Sequence, residues 1–238
     1  MALAIVDNRI SDECERGLLI RGYNVIKVPG SKHLPEAMAS HPDMLMFADG
    51  ENIITSAEYC YEASYVFSDI RYYCARTKIT FADEVQKKVY PHDAIFNALL
   101  IGKKLFCKAD TVSRAVLEYA KDTGLEVVPI KQGYPACTTL PLSERAAITA
   151  DEGMARALTA HGIRVTLIEN GGISLPPYEY GFIGGAAGVH GGRVYFLGDF
   201  TQHPSVQMIA DACLAEGLLP TSLSSGVLTD LGRIIFID

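Results

Sequence analysis

Closely spaced metal ligands are missing from this sequence. Its six cysteines (Cys14, Cys60, Cys74, Cys107, Cys137 and Cys213) form no CxxC pair, and neither Cys nor His recurs at zinc-finger spacing. A zinc module and a disulfide frame are both excluded on that reading, which leaves reduced, mostly buried thiols. No uncharged apolar run reaches the roughly 18 residues of a membrane span. Basic charge is scarce: 21 Lys and Arg stand against 28 Asp and Glu, a net charge of −7. The densest basic spots are Lys87-Lys88 and Lys103-Lys104, too little for a nucleic-acid surface. No low-complexity tract or Pro/Ser-rich linker divides the 238 residues, so residues 1–238 are expected to form a single domain. The apolar start before Asp7 is too short for a secretory signal, and a cytoplasmic location is the expectation.

Nucleotide signatures are absent too. No GxGxxG follows a strand. The Gly-rich run from Gly181 to Gly192 lacks the GxxxxGK[ST] pattern of a phosphate loop. No cofactor and no metal site are therefore expected.

What is present is a pattern that returns five times. A helical segment closed by Gly leads to a β-rich strand, then to two apolar runs around a polar or Gly-containing turn. The turns are 48–52, 102–104, 142–145, 190–193 and 231–233. The run after each ends at Ser56, Asp110, Asp151, Asp199 or Asp238. Short side-chain oxygens of that kind cap helices. The period is about 48 residues, one fifth of the chain. The unit between Ser56 and Lys78 fits worst, with no closing Gly and a weak strand near Ile79. Five αβ units with antiparallel hairpins predict an α/β ring closed on itself, which leaves no exposed sheet edges.

At this point the chain resembles the pentein fold, the five-bladed α/β propeller of guanidino-group-modifying enzymes. Arginine deiminases, amidinotransferases and dimethylarginine dimethylaminohydrolases belong there, as does a non-enzymatic ribosome anti-association factor. The segments that carry the resemblance are Gln132-Gly-Tyr-Pro-Ala-Cys-Thr-Thr-Leu140, Tyr178-Glu-Tyr-Gly-Phe-Ile-Gly-Gly-Ala-Ala-Gly188 and Leu228-Thr-Asp-Leu-Gly-Arg-Ile-Ile-Phe-Ile237. They look like an uncharacterised bacterial family of that fold, and the likeness spans essentially the whole chain.

Counting about 13 or 14 residues back from each cap marks Asp43, Asn97, Cys137, Gly185 and Ser225, positions that a fivefold ring would bring to one end of its axis. They suit a central ligand site, and equally a set of wet strand starts. Cys137 is either a nucleophile at a loop-to-strand junction or a small buried hydrophobe. His92, in Pro91-His-Asp93, is either a general acid/base oriented by Asp93 or a turn residue. Glu179 and Asp230 are further acids near strand mouths.

The resemblance implies a Cys thiolate attacking a guanidinium carbon, a His as acid/base and carboxylates that grip the cation. On that basis Cys137 and His92 are the catalytic candidates. Asp43, Asp93, Asn97, Glu179, Ser225 and Asp230 are the substrate-binding ones. A small cationic molecule is the expected partner, and self-association is left open. The alternatives are a non-catalytic binder on the same ring and a carboxylate-led chemistry around Asp43 and Asp230. One departure stands out: catalytic penteins carry the nucleophile near the C-terminus, where this chain has Asp230 and no Cys.

Overall fold

The computed structural model describes residues 2–238. The chain opens with β1 (Leu3–Asp7), α1 (Asp12–Leu19) and β2 (Asn24–Val28). A single helical turn α2 (Pro42–Leu45) leads to β3 (Met46–Ala48) and β4 (Asn52–Ser56), then α3 (Ala57–Glu62), α4 (Ser64–Tyr73) and β5 (Lys78–Ala82). Next come β6 (Leu99–Ile101), β7 (Lys104–Cys107), α5 (Arg114–Asp122) and β8 (Glu126–Pro129). The following unit is α6 (Pro135–Thr138), β9 (Thr139–Ser143), β10 (Ala146–Thr149), α7 (Glu152–Ala160) and β11 (Arg164–Leu167). The last elements are β12 (Ala187–His190), β13 (Arg193–Phe196), α8 (Val206–Ala215), β14 (Leu219–Ser222) and β15 (Ile235–Ile237).

These strands make five separate three-stranded sheets. In each, an antiparallel strand pair is followed by a helix that returns the chain to a strand parallel to the middle one. The middle strand lies between the ring's interior and the helix layer. That is why β1 and β10 are buried at every residue and are apolar up to their last residue, Asp7 and Thr149. The expected α/β class and fivefold repeat are what the structure has.

The terminal blade departs from the expected register. Ile235–Ile237 follows the turn at 231–233, but it is not the middle strand of a hairpin. It pairs antiparallel with β1 from the other end of the chain (Leu3 opposite Ile237), and β1 carries on to α1 and β2. The fifth blade is thus assembled from both termini, and Asp238 caps no helix. A strand pairs with whichever neighbour completes its ladder, and local sequence cannot reveal that the partner lies more than two hundred residues away.

Three further details correct the sequence reading. Asp110 does not open α5: it binds the Lys108 ammonium at 2.7 Å, the chain makes a turn back to Lys108, and Ser113 caps the helix by accepting from the Ala115 amide. Asp199 caps only the short turn 200–202, accepting from the Thr201 amide, ahead of α8. The poorly patterned second unit has no closing Gly because its helix is two pieces that break at Ala63, and β5 does form beside β4. Ser56 and Asp151 cap α3 and α7 as their positions suggest, and Ser11 caps α1. Among the described residues, no helix is long and apolar enough to cross a membrane.

Candidate active site

Two residues before the first hairpin strand of four blades stand Asn97, Cys137, Gly185 and Arg233, and Asp43 sits one residue further back in the remaining blade. These five positions meet around the axis and are stitched in a closed circle. Asn97 Nδ2 donates to the Asp43 carbonyl (3.2 Å), and the Ala136 amide donates to Asn97 Oδ1 (2.8 Å). The Gly185 amide donates to the Cys137 carbonyl (2.9 Å), and the Arg233 amide to the Gly185 carbonyl (2.8 Å). Finally the Asp43 amide donates to the Gly232 carbonyl (3.1 Å). Each blade is tied to its neighbour at the hub, so the hub side chains have little freedom to drift.

The Cys137 side chain reaches two other members of this circle. Its thiol donates to Asp43 Oδ2 at 2.9 Å, and Asn97 Nδ2 lies 3.1 Å from the sulfur. Burial pushes the thiol well above its ordinary pKa, and the nearby carboxylates of Asp43 and Asp230 push it further. Burial also raises Asp43 to about 6, against the opposing pull of the Cys137 hydrogen bond and the Arg233 charge. At rest the pair is therefore a protonated thiol on an ionised carboxylate at pH 7.

On one side of Cys137 a cavity of about 330 Å³ opens, lined also by His41, Asp230, Tyr134, Tyr178, Glu179 and Tyr180. The Asp230 carboxylate is fixed by the Phe182 amide (2.9 Å) and the Gly232 amide (3.1 Å). Burial raises its pKa, with the His41 and backbone contacts opposing. His41 Nδ1 is 3.8 Å from Asp230 Oδ1. The imidazole is 1% exposed, and neither ring nitrogen has a hydrogen-bond partner. Burial holds its pKa below the ordinary value, so the ring is neutral and both nitrogens are available. Arg9 steadies this corner by binding Asp7 through two bonds and the Ala37 carbonyl through a third.

Gly185 and Gly232 make the close packing possible. A Cβ on Gly185 would overlap the Asp230 carboxyl, and one on Gly232 would overlap His41. Gly185 is not in the left-handed region, so its requirement is purely steric. Gly185→Ala is expected to lower unfolding free energy by about 2–3 kcal/mol, as overpacking does. Gly124→Ala, where φ is +70° but space is open, should cost only about 1 kcal/mol. Urea melts of the two variants compare these directly.

On the far side of Asp43 a second cavity of about 420 Å³ holds Arg233, with Glu144 and Asp49 also in its lining. Arg233 is the one non-glycine residue at positive φ (75°) among those described. This conformation turns the chain from the Asp230 loop into β15. The Asp43–Cys137 pair separates the two cavities.

The structure brings Asp43, Asn97, Cys137 and Asp230 together. Asp93 stands one step behind the cavity, accepting from the Tyr134 hydroxyl at 2.7 Å. Glu179 is exposed at the mouth. His92 is exposed on the turn whose amide reaches the Val89 carbonyl, outside the cavity lining. Ser225 is exposed on a loop, its amide on Glu13. Its counterpart role falls to Arg233, because the last strand belongs to the composite blade.

Sequence reasoning missed His41 and Arg233. Arg233 is legible once β15 is read as the outer member of a hairpin, since it then takes the same offset as Cys137. His41, two residues ahead of Asp43, carried no pattern, because which face of a loop looks into a cavity is decided by packing. His33, Glu58 and Glu62 come close enough to share a metal ion, but Lys32 already binds Glu58 at 3.0 Å and also Glu62.

Five α/β blades around a polar axis, with the chain's ends joined in one sheet, are the architecture of the penteins. Solved structures of that fold superpose on nearly the whole chain. An amidinotransferase of saxitoxin biosynthesis from Microseira wollei has a TM-score of 0.58 at 14% identity, covering 95% of this chain and 78% of its own. DDAH from Pseudomonas aeruginosa, in complex with citrulline, has a TM-score of 0.56 at 12% identity over 94% and 91%. C. jejuni agmatine deiminase has a TM-score of 0.56 at 8% identity over 95% and 90%. The chain belongs to the family of unknown function DUF6873, whose model matches residues 5–235. No curated protein matches it in sequence.

Proposed function

We propose that the protein is a cysteine-dependent enzyme that modifies a small guanidino or amidino compound, hydrolysing it or passing the amidino group to an acceptor amine. The observation that carries this reading is the single cavity onto which Cys137, His41 and Asp230 all open. The amidinotransferase and deiminase activities named for its fold neighbours support the same class. A guanidinium entering this cavity meets Asp230, whose orientation two amides fix, and its positive charge favours the thiolate of Cys137.

The sulfur adds to the amidino carbon as the thiol proton passes to Asp43. One proton must then reach the departing nitrogen. His41, neutral, unpartnered and beside Asp230, is the group on the cavity side able to relay the proton that Asp43 has taken, accepting at one ring nitrogen as it donates from the other. The carbon–nitrogen bond breaks and an S-linked amidino cation remains on Cys137. Water or an acceptor amine adds to that cation while His41 takes the proton released and passes it to the sulfur, which departs as thiol. His41 thus takes the acid/base part that the sequence suggested for His92.

The protonated resting thiol favours a second reading, a non-catalytic site for a small cation. Alkylation with 2-chloroacetamidine separates the two. Peptide mass mapping is expected to find Cys137 labelled at least about tenfold faster than the other buried cysteines, since a cationic electrophile draws the thiolate out. Equal rates at Cys137, Cys107 and Cys213 would remove the nucleophile and leave the binder.

A further inference from the structure

The charges around the cavity are all of one kind. Its lining holds two carboxylates, Asp230 at the floor and Glu179 at the exposed mouth, with the neutral His41. Neither Lys nor Arg lines it. The nearest cations are committed elsewhere: Arg9 is bound to Asp7 and the Ala37 carbonyl, and Arg233 lies in the cavity on the other side of the Asp43–Cys137 pair. Glu179 makes no side-chain hydrogen bond or ion pair among the described residues, and Tyr178 and Tyr180 flank it in sequence and in the lining. Three tyrosines and Phe182 supply the aromatic part of the wall.

A bound carboxylate would find no positive charge and would face like charges at both ends of the cavity. Taking an anion out of water without a partner costs several kcal/mol. An ammonium group at the mouth would instead meet the free Glu179 carboxylate and the faces of tyrosine rings. A volume of about 330 Å³ suits a guanidine with a short arm, at the small end of ligand cavities.

Resting on the function proposed above, we infer that the substrate is a carboxylate-free guanidine bearing a second cationic group: the guanidinium goes to the floor by Asp230 and Cys137, the amine to the mouth by Glu179. Amino-acid guanidines are thereby rejected through the missing cation.

Protection of Cys137 against 2-chloroacetamidine tests this with three probes: 4-aminobutylguanidine, butylguanidine and arginine. The first and third differ by the carboxylate alone. The aminobutyl compound is expected to half-protect at a concentration at least about tenfold below that of arginine, given an unpaired carboxylate in the latter. Glu179→Gln should reduce the preference for aminobutylguanidine over butylguanidine by about three- to fivefold, the scale of an exposed ion pair. Because that readout is a ratio, a general loss of folded protein does not move it. Arginine protecting as well as the aminobutyl compound, or an unchanged ratio in Glu179→Gln, overturns the inference and leaves the guanidine-modifying reading standing. Failure of all three guanidines to protect a Cys137 that does react overturns both.

Discussion

Cys137→Ala is expected to lower turnover of any guanidine the protein accepts by at least about a thousandfold, because no other group on the cavity can form the covalent intermediate. The five remaining cysteines are Cys14, Cys60, Cys74, Cys107 and Cys213, and none lines the cavity. Intact-mass measurement under turnover should show an amidino adduct on the native protein and none on the variant. The substitution also removes the donor that Asp43 Oδ2 now has, so Cys137→Ser, which restores an O–H at nearly the same place, separates loss of chemistry from loss of folding. The serine variant should melt close to the native protein and be as inactive as the alanine one. Retention of activity within tenfold in either would place the chemistry elsewhere.

Asp43→Asn should produce the second large effect, and in two directions at once. Asp43 has a folded-state pKa of about 6 because burial disfavours its charge, against about 3.9 in an unfolded chain. Between those values the native state holds a proton that the unfolded state has lost. The stability associated with this group is therefore fully present below about pH 4, declines as pH rises towards 6, and is gone above it. At pH 8 the ionised carboxylate costs on the order of 2–3 kcal/mol, for a shift of about two pH units.

The asparagine variant is uncharged and still offers an oxygen to the thiol. It should be more stable by that order at pH 8 and should lack the decline between pH 4 and 6. It should also react at least about a hundredfold more slowly with guanidines, because an amide cannot take the thiol proton. In the native protein the rate should fall on the acid side of about pH 6, as Asp43 becomes protonated. Urea melts across pH, read beside the pH–rate profile, check both halves. A variant no more stable than the native protein at pH 8 would mean that Asp43 is not an ionised, desolvated group.

Exposure explains which candidate residues the hub absorbed and which it did not. Asp43, Asn97, Cys137 and Asp230 all carry side chains less than 4% exposed. A buried polar residue just ahead of an apolar strand has few places to go except the axis. His92 and Ser225 occupy similar sequence contexts yet end on exposed turns. Pro91-His-Asp93 turns its buried partner, Asp93, inward to Tyr134, and the imidazole is left outside. For His41 the reverse happened: Gly232, supplied by the last blade, leaves room for the ring that Pro42 and the turn of α2 direct inward.

The sequence alone determined the blade. Hairpin turns, the caps at Ser56 and Asp151 and the buried middle strands follow from hydrogen bonding and burial over a few tens of residues, and so does the approximate fivefold period. Tertiary structure alone decided that β1 and β15 share a sheet, that Arg233 and not Ser225 completes the hub, and that His41 lines the same cavity as the thiol. Each of these depends on contacts between blades far apart in the chain. There the shape available to a side chain is set by what its neighbours leave empty, a quantity no local pattern contains.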